Sequence, residues 1–385
     1  MEPELTPEEQ GLVDLARTFG ENEIEPVAAD LDRRGEYPRD LLRRMGELGF
    51  MGGVVPEEYG GAGLRFVVYA RIIEELARFD QYIAGAATSA SGLRGSALMR
   101  YGTPEQKARW LAPLARGETL AGTGLTEPRS GSDVLGMETT AARNGENYVL
   151  NGSKVWIGGA GHADWFLTFA TLDRSANRTS ICAFVVERGT PGFETSEYSD
   201  KMAFRMSDSG ELSFSGCTIP ASHRVGAEGE GLRVAMSAVE NGRLGVGARA
   251  CGMLRRCLDE VVAYARQRTT FGRPIGEHQL IQAKIADMAI GLTNARNLLY
   301  DLAGLRDAGV ARAGREAAML KRYSTDVLMQ AATDAVQVFG AYGISTAYPV
   351  ERLFRDAKVL QIVEGTNEIQ TIRIAQYALG YRSDT

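Results

Sequence analysis

Apolar residues recur at three- and four-residue spacing at both ends of the chain and at two-residue spacing in its middle. Near the start, Thr6-Pro7-Glu8-Glu9 reads as a capping box with proline at the first helical position, and Leu12, Leu15, Ala16 and Phe19 follow on one face. Tyr37-Pro38 opens a second helix that closes near Gly46 and Gly49. Further helices are expected over 65–79, around 91–101 and from Thr103-Pro104 onward. The glycine-rich stretch 55–63 has no strand before it and no Lys-Ser/Thr after it, so it reads as a wide turn rather than a phosphate cradle. The character changes near Leu120. Runs over 148–157, 165–170, 180–186 and 211–215 alternate, with turn signals at Asn144-Gly145, Asn151-Gly152 and Pro191-Gly192. Long helical segments return over 231–268, 277–308, 312–340 and 366–380. The pattern predicts an α+β protein: an N-terminal helical domain (1–119), a small antiparallel β-domain (120–228) and a C-terminal four-helix bundle domain (229–385).

Composition narrows the setting. A chain of 385 residues suits two or three packed sub-domains, and 44% apolar residues can fill their cores. The net charge of −6 is spread through both signs with no basic block, so nucleic acid is not an expected partner. No apolar run approaches the roughly 18 residues of a membrane span, and the acidic first residues carry no signal-peptide core. Cys182, Cys217, Cys251 and Cys257, with His162, His223 and His278, form no metal-binding spacing. A reduced, cytoplasmic protein without a metal is expected.

The chemistry concentrates near the C-terminus. Val359, Leu360, Ile362 and Val363 deliver Glu364 onto Gly365-Thr366, after which helical periodicity resumes through Ile369, Ile372 and Ile374. A carboxylate carried by apolar residues onto a glycine turn loses water, and desolvation favours its neutral form. That raises its proton affinity toward what a general base for a weakly acidic proton needs. The same residue also suits a plainer role, flanking the next helix while Thr366 caps it. Gly245, Gly247 and Ala250 match a dinucleotide-binding spacing by letters, but lie mid-helix with no preceding strand, so close helix packing is expected there. The stretch Thr123-Gly-Leu-Thr126-Glu-Pro-Arg-Ser-Gly-Ser132-Asp133 offers hydroxyls and glycine amides in one irregular loop, either a donor-rich concavity or an ordinary polar turn.

Several of these runs, in order, resemble the signatures of the acyl-CoA dehydrogenases, from about residue 6 to about 380. Arg355-Asp-Ala-Lys followed by Glu364-Gly-Thr-x-x-Ile-Gln is similar to that family's catalytic segment, and Thr126-Glu-Pro-x-x-Gly-Ser132-Asp is similar to its flavin loop. The resemblance implies FAD as cofactor and Glu364 as catalytic base. It sets Leu125, Thr126, Ser132, Trp156, Ile157, Thr366 and Glu368 at the cofactor, and Ser132, Glu240, Arg243 and Gly365 at the substrate. Arg268-x-x-Phe271-Gly and Gln279 resemble the residues that meet the FAD pyrophosphate and adenosine. Gln337-Val-Phe-Gly340-Ala341-Tyr-Gly343 resembles the segment that reaches a neighbouring subunit's FAD, which implies a homo-oligomer, a tetramer by the family's habit.

The chain departs from the family in places. Gly158 stands where a hydroxyl residue usually faces flavin N5, leaving only a backbone N–H; Glu240 replaces Asp; Ala341 replaces Gly. Some members carry their base one residue before the arginine of this helix, where this chain has Gly242. The activity implied is α,β-dehydrogenation of an acyl-CoA, as in fatty acid metabolism, with Glu364 taking the α-proton, the β-hydride passing to flavin N5, and an electron-transfer flavoprotein as acceptor. Arg129-Ser130 and Gly158 also suit a variant acting on an acyl-carrier-protein substrate. An oxidase or monooxygenase branch fits an intact Glu364 less well, and a non-enzymatic relative fits the retained base and FAD motifs less well.

Overall fold

The computed structural model describes residues 3–310 and 312–384. Its N-terminal part is helical. Helix α1 (Pro7–Phe19) opens on the expected capping box, with Thr6 Oγ1 accepting from the Glu9 N–H and the Glu9 carboxylate from the Thr6 N–H. It passes through one wider turn into α2 (Glu25–Arg34), followed by α3 (Arg39–Glu47) and α4 (Phe66–Ala77). Helices α5 (Gln81–Thr88), α6 (Gly95–Tyr101), α7 (Pro104–Gln106) and α8 (Ala112–Ala115) complete the region. Helix α5 was not expected. It buries Gln81, Ile83, Ala84, Ala87 and Thr88, so its sequence carries no polar stripe to reveal its period.

The middle of the chain forms one eight-stranded sheet: β1 (Ala121–Gly124), β2 (Thr140–Asn144), β3 (Asn147–Ile157), β4 (Trp165–Thr171), β5 (Ile181–Glu187), β6 (Phe193–Glu197), β7 (Gly210–Pro220) and β8 (Arg224–Val225), with the short helix α9 (Asn177–Ser180) before β5. The order is β6-β7-β3-β2-β4-β5-β8, and β1 pairs with β4. Pairing is antiparallel except where β1 and β2 meet β4. Asn151-Gly152 is not a turn: the strand continues through it, with a bulge against β7 and Gly152 at φ 137°. Strand β4 is buried on both faces. Trp165, Leu167 and Phe169 join the helical core, while Phe166 and Ala170 join a second core with Tyr148, Phe184 and Phe193.

The C-terminal part holds α10 (Gly231–Gln267), the ribbon β9 (Thr269–Thr270) and β10 (Arg273–Pro274), α11 (Gln279–Asp307), α12 (Gly314–Phe339), α13 (Val350–Ile362) and α14 (Asn367–Ala378). The apolar segment before Glu364 is thus a helix of its own. Helix α10 is the axis of the molecule, packed on α4, α5, α11, α12 and α13. A Cβ added at Gly245 would lie 2.7 Å from Thr88, and one at Gly247 would lie 2.5 Å from Leu320, so these glycines serve helix contact and bind no nucleotide.

Helix α13 is tied to both other regions. Arg355 grips Asp32 of α2 through Nη2 at 2.7 Å and Nη1 at 3.4 Å, and the buried Asp356 accepts from the Phe204 N–H at 2.9 Å. Burial pushes Asp356 up to about 7, with Asp80 adding to the rise. In the sheet domain a second buried pair, Lys154 Nζ to Glu127 Oε1 at 2.6 Å, pins the 123–133 loop to β3. Glu127 also accepts the N–H groups of Glu138 and Thr139. Burial takes Lys154 down to about 8 despite its partner. Removing one member of a buried pair strands the other charge. Glu127→Gln is therefore expected to destabilise the protein by about 3–5 kcal/mol, read by denaturant unfolding, with Glu127→Gln/Lys154→Met recovering part of the loss.

Candidate active site

Glu364 sits in the turn between α13 and α14 with φ 57°, a left-handed backbone that a side chain rarely adopts, and Gly365 follows at φ 84°. The strained turn is held from outside. Arg243 Nε donates to the Glu364 carbonyl at 3.3 Å, and Gln370 Nε2 donates to the carbonyls of Glu364 at 3.3 Å and Gly365 at 2.9 Å. Thr366 caps α14, its Oγ1 accepting from the Ile369 N–H at 3.4 Å. The capping role therefore falls to Thr366, and the Glu364 carboxylate is free for something else. It turns toward α10: a Cβ added at Gly242 would lie 2.7 Å from Glu364 Cδ and Oε2. The two chain positions that resembled alternative homes for a base thus meet at one point.

The carboxylate is only half-covered, because it faces a cavity, yet the surrounding protein withdraws it from bulk water. Burial pushes its pKa above the ordinary value of 4.5, against the pull of Arg243, Arg249, Arg94 and Lys321. Burial in turn takes the three guanidiniums down to about 10 and Lys321 down to about 7. The Lys321 ammonium is satisfied by neutral groups, the Gln361 carbonyl at 2.8 Å and Asn367 Oδ1 at 2.7 Å. Sequence reasoning missed Arg94, Arg249 and Lys321. The signal for the first two was present, since each interrupts a run of small and apolar residues.

The cavity before Glu364 has a volume of about 190 Å³, and Gly158, Phe204, Gly242, Arg94 and Arg249 share its wall. A wider cleft of about 1200 Å³ meets it along α10, where Glu240 and Asn241 line the cleft and Gly242 lines the cavity. Six arginines, Arg100, Arg178, Arg233, Arg306, Arg312 and Arg382, line the cleft against three glutamates. Glu240 is one of them, but Arg306 Nη2 at 2.6 Å and the Ala313 N–H at 2.9 Å take its carboxylate. Its direct work is therefore to hold Arg306 and the 313 turn.

Beside the cavity, the loop after β1 offers what a flavin ring edge requires. The carbonyls of Leu125 and Thr126 face β3, accepting from Lys154 and Val155. Their N–H groups donate to no acceptor among the described residues. Trp156 is 65% exposed at φ 58°, in ring contact with Tyr198 at 4.9 Å. Ile157 turns its side chain into the second core, so only its backbone faces the site. Gly158 borders open space. Ser132 and Glu368 are exposed. These residues fit FAD at its isoalloxazine end.

The remaining candidates lie elsewhere. Arg268, Phe271, Gln279, Gln337, Gly340 and Ala341 are all exposed, and none lines the cavity or the cleft. They share one end of the helical bundle, where Tyr264 stacks on Phe339 at 4.0 Å. Phe271 is 98% exposed at φ 51°. Trp156, Phe204, Phe271 and Glu364 are the non-glycine residues with left-handed backbone among those described, and three of them were candidate site residues.

Comparison with known proteins matches the chain to one family along nearly its whole length. Family profiles match along the chain: acyl-CoA dehydrogenase N-terminal domain at residues 6–118, middle domain at 122–217 and C-terminal domain at 229–379. An acyl-CoA dehydrogenase of Bacillus subtilis is 41% identical, with 98% of this chain and 99% of the relative covered. The solved butyryl-CoA dehydrogenase of Megasphaera elsdenii superimposes with a TM-score of 0.95 at 39% identity, covering 98% of this chain and all of the other. The solved prolyl acyl carrier protein oxidase AnaB superimposes with a TM-score of 0.94 at 31% identity, covering 97% of this chain and all of AnaB. The chain belongs to the acyl-CoA dehydrogenase family, FAD-dependent oxidoreductases that act on CH–CH donors.

Proposed function

We propose that the protein dehydrogenates a short acyl-CoA thioester between Cα and Cβ, with Glu364 as the base that takes the α-proton. The observation that carries this reading is the Glu364 carboxylate itself, raised in proton affinity by burial and facing a cavity of about 190 Å³. The Glu364 N–H donates to no acceptor among the described residues, and suits a thioester carbonyl that gains negative charge as the α-proton leaves. Arg243 and Gln370 hold that N–H in place through the turn. Bound FAD, edged by Leu125, Thr126, Trp156 and Gly158, supplies the two-electron acceptor for the β-hydride, and an electron-transfer flavoprotein reoxidises it.

The arginine-lined cleft supports coenzyme A as the tether, because guanidinium forks match phosphate groups and the volume suits a nucleotide. AnaB favours a second reading, in which a carrier protein presents the acyl group and its acidic face meets the same arginines. Reduction by free acyl-CoA separates the two. The exposed cluster around Arg268, Phe271 and Gln337 supports a homo-oligomer in which one subunit's bundle end completes the neighbour's FAD site.

Glu364→Gln is expected to keep FAD bound while slowing anaerobic flavin bleaching by an acyl thioester roughly 10²-fold or more. In the wild type the same rate should climb with pH through a limb lying above the ordinary carboxylate range, since only ionised Glu364 accepts the proton. Equal rates for the two proteins would remove Glu364 as the base. Gly242→Ala drives a methyl against the carboxylate and is expected to cost on the order of 10-fold to 10²-fold in that rate. Phe271→Asp should lower the oligomer mass seen by light scattering and release FAD on gel filtration; an unchanged mass and full flavin content would refute the shared site.

A further inference from the structure

Two guanidiniums on the cavity wall have more charge than partners. Arg94, between α5 and α6, and Arg249, on α10, are each only 8% exposed, and both line the cavity that ends at Glu364. Neither makes an ion pair with a carboxylate among the described residues, and the Nε of each is buried without a hydrogen-bond partner. Arg249 donates once, from Nη1 to Gln81 Oε1 at 3.3 Å; Arg94 donates to no described residue. A buried charge is costly unless a counter-charge or good hydrogen bonds offset it. Glu364 is the nearest anion in effect, but its carbonyl is already held by Arg243, and it forms no ion pair with Arg94 or Arg249.

The other anion on this wall is spoken for. Asp208, buried, accepts the N–H groups of Gly159 at 2.9 Å and His162 at 3.0 Å, and contacts His162 Nδ1 at 3.3 Å and the Tyr82 hydroxyl at 3.4 Å. Apart from Glu364, whose carboxylate is kept for the α-proton, the wall is therefore satisfied on its negative side and unsatisfied on its positive side. An uncharged hydrocarbon tail entering here would leave both guanidiniums dry and unpaired. A carboxylate would accept from either in the planar, paired geometry that guanidinium favours.

We propose that the acyl group this cavity accepts ends in a carboxylate, so that the substrate is a monothioester of a short dicarboxylic acid. The inference rests on the dehydrogenation reading and names the substrate class of the same site. The chemistry stays balanced: the Cα–H bond gives its proton to Glu364, the Cβ–H bond gives its hydride to FAD, a C=C bond forms, and the distal carboxylate keeps its charge.

The test uses the FAD-loaded protein under anaerobic conditions, with acyl groups of matched length presented on coenzyme A and on plain pantetheine. Glutaryl, pentanoyl and 4-(trimethylammonio)butyryl thioesters are compared by the rate of flavin bleaching divided by the dissociation constant. The glutaryl group should win over the pentanoyl by about tenfold or more, the scale of one charged hydrogen bond. Arg94→Gln and Arg249→Gln should each shrink that ratio, mainly through a weaker dissociation constant for the glutaryl thioester. A pentanoyl group that bleaches as well as or better than glutaryl overturns the proposal, as does preference for the trimethylammoniobutyryl group, which would point to Asp208. Bleaching by none of the thioesters would overturn the dehydrogenation reading and this proposal together. The wild-type comparison decides the matter even where an arginine variant fails to fold.

Discussion

A carboxylate withdrawn from water is unstable as an anion, and the molecule is built around keeping one in that condition. Burial at Glu364 outweighs four nearby cations, so the group holds a proton more strongly than an exposed glutamate does. None of those cations forms an ion pair with the carboxylate, which would have cancelled the effect. Arg243 is instead spent on the backbone carbonyl, and Lys321 on a carbonyl and an amide. The positive charge is near enough to keep the anion accessible and too far to quench it.

Holding that balance needs a turn the chain would not choose. A left-handed backbone at a glutamate costs on the order of 1 kcal/mol or more, and persists only when neighbours over-determine it. The neighbours come from every region. Arg243 rises from α10, Gln370 closes from α14, and α13 is pinned at Arg355 to α2 and at Asp356 to the sheet domain through Phe204. Phe204 is itself left-handed and stands on the cavity wall. Strain, domain contact and chemistry therefore fall on the same few residues.

The division of the candidate cofactor residues has a physical consequence. Those that fit a flavin ring lie beside the Glu364 cavity, on the loop between β1 and β2 and at the end of β3. Those expected at the pyrophosphate and adenosine lie exposed at one end of the helical bundle. In the proposed oligomer a second subunit brings its own bundle end to the ligand. Phe271 is 98% exposed at the turn of the β9–β10 hairpin, and the proposed oligomer would cover it.

Much of this was legible in the order of residues alone. Period and capping marked helices that have one wet face, among them α1, α11 and α12, the length of its helical pattern marked α10 although residues 242–254 are buried all round, and alternation marked the long strands β3, β4 and β7. Glu364 stood out because an apolar run and a glycine frame it. Elements without contrast escaped: α5 is covered on all sides, α13 was read only as an apolar segment, and β1, β6 and β8 are too short to show a period. The bulge at Asn151-Gly152 looked like a turn because glycine serves both. What the order of residues left open were properties of proximity. Residues 242 and 364 meet only because α10 passes beneath the turn, and Ile157 points into the sheet's core only because of the strand's register. Arg94 and Arg249 become chemistry only when a helix end and a mid-helix position, 155 residues apart in the chain, share a cavity. Local sequence encodes periodicity and backbone freedom; which charges face one another without partners is decided by packing.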